Sequence, residues 1–189
     1  SLGGKAVANA LQVQGAATVK GGSAYTGALT LQSGALKGET LQLLAVATLH
    51  EGSVANVLKG TGSVQKLGAG TVTLTAANSY SGGTLVQGGT LVAGHASAFG
   101  SGAIALGAAC LDLNAKAVAN SLRVTGEAQL LNAGSYKGSL VLDGGALSGS
   151  AVQLSKDASL LSGAVENVLS GSAAVVKQGE GSVLLSAAN

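Results

Sequence analysis

Laid over itself with Lys5 on Lys116, the chain meets its own copy. "KAVANALQV" begins at the first of these residues and "KAVANSLRV" at the second, and the same offset then holds without a gap to the last residue. Gly15 falls on Gly126, Tyr25 on Tyr136, Gln42 on Gln153, "NVL" at Asn56 on "NVL" at Asn167, and "AAN" ending at Asn78 on "AAN" ending at Asn189. Roughly half of the aligned positions are identical, a level that duplication of a long unit explains. Residues 1–78 and 112–189 therefore read as two copies of a repeat, with 79–111 the linking part of the unit, all within one continuous solenoid fragment, 1–189. The absence of an initiating Met and of a basic-then-apolar leader gives the chain the look of a piece of a longer protein.

Within the unit the period is two. "LQV" at 11–13, "LTL" at 29–31, "LQL" at 41–43, "VTL" at 72–74, "TLV" at 84–86 and "AIAL" at 103–106 alternate apolar and polar residues, and Gly, Ser, Asn or Asp separates such stretches. No stretch sustains a helical period. The apolar 47% is almost wholly Ala, Val and Leu, with one Phe, three Tyr and no Trp, while 31 residues are Gly. Antiparallel hairpins gain from aromatic cross-strand pairs and Asn-Gly or Asp-Gly turns, and "DGG" at 143–145 is the best such turn here. Small apolar residues with Gly at the bends fit a β-helix better, in which coils stack about 4.8 Å apart around a narrow interior. The expected fold is all-β, a solenoid of roughly eight to nine coils, with about five coils of about 22 residues in each repeat unit.

Only 10% of residues are charged, for a net charge of +2. The ten Lys and Arg are scattered without aromatic platforms between them, which argues against a nucleic-acid partner or a charged membrane surface. No run of about 18 apolar residues is present, so no helical span and no direct insertion of this fragment into a membrane is expected. Cys110, in "GAACLDL", reads as a small buried apolar residue rather than a reactive thiol.

One segment is more patterned than the rest. "GAGTVTLTAANSYSGGTLVQGGTLVAG", residues 68–94, resembles the passenger-associated repeat of bacterial autotransporters, secreted proteins with a C-terminal barrel in the outer membrane. The resemblance rests on Gly68, Gly70, Leu74, Asn78, Tyr80, Ser81, Gly82, Thr84, Val86, Gly89, Thr90 and Leu91, continued by "SAFGSGAIAL", with a second match beginning at "KQGEGSVLLSAAN". It implies a right-handed parallel β-helix, carried across the outer membrane of a Gram-negative bacterium and displayed on the cell surface or released. The marked residues read as structural: Asn78 tolerant of a left-handed turn and able to bond to its neighbouring backbone, Gly82 and Gly83 at bends, Tyr80 over a corner of the core, Ser81 and Thr84 able to bond to the turn.

Catalytic chemistry finds little support. His95 has Ser97 and Ser101 nearby, but a triad also needs a carboxylate, and the nearest along the chain is Asp112. His50 falls on Leu161 in the second copy. The carboxylates are isolated, and Glu39, Glu51, Asp143 and Asp157 fall on uncharged residues in the other copy, against the grouped acids of a carbohydrate-cleaving β-helix. Zinc, phosphate-loop and calcium-repeat patterns are absent. No enzymatic activity and no cofactor or metal is therefore expected. The expected role is a structural and adhesive passenger segment, acting in cell-surface adhesion or bacterial self-association, with itself or a host surface protein or glycan as partner. The alternative is the β-helical spine of a secreted protease or esterase whose catalytic domain lies elsewhere.

Overall fold

The computed structural model describes residues 6–20 and 24–188; Lys5 and Asn189, which end the repeat alignment, lie outside them. Apolar side chains at alternate positions must leave water together, and the chain achieves this by coiling so that every strand lays one face inward. The strands pair in parallel, each with the strand one coil before and one coil after. The first face can be followed from Leu11 through Leu29, Ala47, Val64, Thr84, Ile104, Leu122, Leu140, Ala158 and Val175, ten rungs and nine turns. The all-β parallel solenoid expected from the sequence is the fold observed.

The coil length differs from expectation. Leu122 is the repeat counterpart of Leu11, and the ladder reaches it in six steps, by way of Leu29, Ala47, Val64, Thr84 and Ile104. One repeat unit thus spans six short coils rather than five of about 22 residues. Short corners make the shorter coil possible, down to two residues at Glu39–Thr40 and His50–Glu51. The strands Leu29–Gly38 and Leu140–Gly149 even run through a corner without a break.

A second face stacks Ala35, Ser53, Thr73, Val92, Asp112 and Leu131 on its outer side. Inside it, Leu36, Val54, Leu74, Leu91 and Leu111 are buried. The third face is built from shorter strands, Leu41–Gln42, Leu58–Gly60 and Ser79–Tyr80, and later Gly134–Tyr136, Val152–Leu154 and Leu169–Gly171. Between Tyr80 and Gly134 it has no strand among the described residues. There Phe99 fills the interior, and asparagine side chains replace the missing backbone ladder. The Asn120 amide donates to the carbonyls of Phe99, Gly100 and Gly102 at 3.3, 3.1 and 2.6 Å.

Candidate functional site

The patterned segment forms the fourth and fifth coils of the first-face ladder. Gly70 and Gly89 sit one above the other at the corner leading into the second face: a Cβ on Gly89 would lie 2.3 Å from the Gly70 carbonyl oxygen. Gly68 has φ +70° beside His50, and a Cβ on Gly82 would come within 2.6 Å of the Gly62 oxygen. Leu91 points inward between Val72 and Leu111, while Thr90 lies on the outer side between Thr71 and Cys110. Ser81 is exposed and its hydroxyl donates weakly to the Gly60 carbonyl at 3.4 Å.

Two of these residues sit differently from the sequence reading. Asn78 is not in the left-handed conformation, which among the described non-glycine residues is taken by Asn114, Ala115 and Asn132. Its side chain is buried instead and bridges three coils: Oδ1 accepts from the Leu58 backbone N–H at 2.8 Å and Nδ2 donates to the Ala98 carbonyl at 2.6 Å. Tyr80 is fully inside rather than over a corner, sharing a 2.6 Å hydrogen bond with the Thr84 hydroxyl. The phenol fills interior volume that leucine fills in other coils, and its hydroxyl is satisfied by the Thr84 bond.

Sequence reading counted Lys66 only as one of the scattered cations and missed its place. It occupies an inward position between Leu49 and Val86, is buried, and donates from Nζ to the carbonyls of Leu67, Gly68 and Gly88 at 2.7, 2.9 and 3.0 Å. Burial holds its pKa below the usual lysine value, partly offset by attraction to Glu51. Buried Asn56 and Asn167 were missed as well. Each donates its amide to a carbonyl of the preceding coil, Glu39 and Ser150, at 2.5 and 2.6 Å. The available signal was recurrence: Lys66 and Lys177, Asn56 and Asn167, and the acceptors Glu39 and Ser150 are all counterparts in the two copies.

Burial also raises the phenols of Tyr80 and Tyr136 well above the ordinary 10.0, for Tyr80 against a smaller opposing effect of the Thr84 hydrogen bond. Tyrosines of the unfolded chain ionise near pH 10, whereas these remain neutral in the fold, so their contribution is intact below about pH 10 and is lost as pH rises above it. The expected loss is about 1.4 kcal/mol per pH unit for each tyrosine. Urea unfolding at pH 9, 10 and 11 checks this: the double variant Tyr80→Phe, Tyr136→Phe should show a clearly shallower alkaline slope than the wild type.

The remaining titratable residues are dispersed. Cys110 is half-buried on the outer side rather than in the core, because the alternation turns Leu111 inward; burial raises its thiol pKa against the Thr90 hydrogen bond, and Asp112 raises it further. The Ser97 backbone N–H donates to His95 Nδ1 at 3.0 Å. Asp143 pairs with Arg123, Asp112 accepts from Asn114 N–H and Asn132 Nδ2, and Asp157 accepts from Ala174 N–H. Among the described residues no three His, Cys, Asp or Glu side chains group as metal ligands.

What the stack offers outward is long ladders. Thr71, Thr90, Cys110, Gln129 and Ser148 form one on the second face, beside Ser53, Thr73, Val92, Asp112 and Leu131. Asp112 is the single charged residue in the two.

Comparison with known proteins meets the same segment. The family described as passenger-associated-transport-repeat matches residues 64–93, from the strand that contains Lys66 to the end of the strand that contains Leu91. Over 58 residues, 29% of the chain, the sequence is 52% identical to "Adhesin BmaC autotransporter" of Brucella suis biovar 1 (strain 1330). The chain spans about 2% of that relative's length. No solved structure matches the chain. A stack of parallel coils, a matched repeat and a 52% identical stretch of an autotransporter adhesin agree: residues 64–93 match a passenger-associated-transport repeat, and the similarity supports an autotransporter passenger segment, surface-exposed on or secreted from a Gram-negative cell.

Proposed function

We propose that this segment is adhesive, a rigid β-solenoid whose outer ladders make contacts between cells. The observation that carries the reading is the division of labour in the motif coils. Apart from Ser81 and Thr90, its patterned residues are spent on closing corners and filling the interior, and its outward Thr71, Thr73, Thr90 and Val92 form an uncharged strip. A neutral strip on each of two identical chains has no like-charge repulsion to overcome, which favours homotypic contact. A host surface protein or glycan is the second partner class. The 52% identity to a protein named an adhesin supports the same reading. The chain is built from two copies, 1–78 and 112–189, joined by 79–111, so that contacts made by one unit are multiplied along the stack.

The test is a settling assay. Bacteria that display the parent passenger are mixed with cells that do not, with residues 1–189 present or deleted. Settling of displaying cells alone, lost on deletion, is the expected result. Equal settling with and without the segment would assign it to a stalk.

A further inference from the structure

The first-face interior column runs Leu31, Leu49, Lys66, Val86 and Leu106, so an ammonium stands where its neighbours place methyl groups. All three of its protons are used. Two go to the corner that follows Lys66 directly, Leu67 and Gly68, and the third crosses to Gly88 on the next coil. Lys177, its counterpart in the second copy, makes the same two local bonds, to Gln178 and Gly179 at 2.9 and 2.7 Å, while remaining exposed. The corner alone therefore holds the ammonium in place, and the crossing bond is the separate element.

The next coil is where such a bond has work to perform. The step from Val64 to Thr84 is longer, by two or three positions, than each of the three steps before it. Alternation forbids a slip of one residue, which would turn every apolar side chain outward, but tolerates a slip of two. A two-residue slip would carry the Gly88 carbonyl about 6 to 7 Å from the ammonium. We propose that Lys66 is a register lock: an ammonium pre-set by its own corner that accepts the following coil only in the alignment that brings the Gly88 carbonyl to it. Residues of the form Lys-x-Gly-x-Gly, present at Lys66–Gly68–Gly70 and at Lys177–Gly179–Gly181, supply the local half of the device.

The test is amide hydrogen exchange in the chain carrying Lys66→Met, with Lys177→Met as the control. Exchange in Thr84–Val86 and Thr90–Ala93 should accelerate about tenfold or more, the factor expected for one charge-assisted hydrogen bond, with Leu29–Gly38 and Leu140–Gly149 unchanged. Lys177→Met should alter neither set. No acceleration after Lys66→Met, or equal acceleration in every coil, would overturn the proposal. If Lys66→Met does not fold, acylation of the wild-type amines decides: Lys66 should react at least about a hundredfold more slowly than Lys177, since it must await local opening, and equal rates would overturn the lock.

Discussion

Gly89→Ala should cost about 4 kcal/mol or more, while Gly134→Ala should cost only about 1 to 2 kcal/mol. Both glycines have left-handed backbones, with φ +59° and +48°, so the conformational penalty is shared. What differs is the neighbour. A Cβ on Gly89 would lie 2.3 Å from the Gly70 oxygen and 2.6 Å from that of Gly68, and both are backbone atoms of the coil beneath. They cannot yield without lifting the rung in which Thr71 pairs with Thr90. At Gly134 nothing lies within 4 Å. Urea unfolding of the two variants side by side checks the pair. Equal costs would mean that the corner glycines serve conformation alone and that the coils are not held at the spacing described.

Asn78→Ala should destabilise by about 3 to 5 kcal/mol, since it strands two buried backbone groups at about 1 to 3 kcal/mol each. The Leu58 N–H loses its acceptor and the Ala98 carbonyl loses its donor, at the place where the third face changes from strand to turn. Asn78→Asp separates the two roles. It keeps an acceptor for Leu58 but sets a carboxylate against the Ala98 oxygen, and it should fail as badly as alanine. Ser81→Ala is the neighbouring control: its exposed hydroxyl makes only a 3.4 Å contact, and the expected change is within about 0.5 kcal/mol. Thermal and urea unfolding measure all three. A small effect for both Asn78 variants would remove the side chain as a bridge between coils.

The comparison of these positions shows what a sequence of this kind reveals. The alternation at Leu29–Thr30–Leu31 or Thr84–Leu85–Val86 is a local consequence of which side meets water, so strands and the solenoid could be read directly. Coil length could not, because corners such as His50–Glu51 carry no turn signal of their own, and strands such as Leu140–Gly149 pass through a corner unbroken. Asn78 was legible as a residue that matters, yet its role was misassigned. An asparagine in isolation favours a left-handed turn, and only the loss of strand pairing on the third face turns it into a buried bridge. Lys66 was invisible for a similar reason: a lysine is ordinarily solvated, and the Gly88 carbonyl that makes its burial tolerable is supplied only by the next coil.

If inward residues build the stack while the outward ladder does the contacting, the settling assay separates the two roles on a passenger carrying Thr71→Lys, Thr73→Lys and Thr90→Lys together. These side chains leave the interior untouched, so each should change stability by about 1 kcal/mol or less, while three added charges per chain oppose a second chain of the same kind. Settling should be lost with the unfolding midpoint nearly unchanged. Undiminished settling by a folded triple variant would contradict that division of roles and move the adhesive surface off this face.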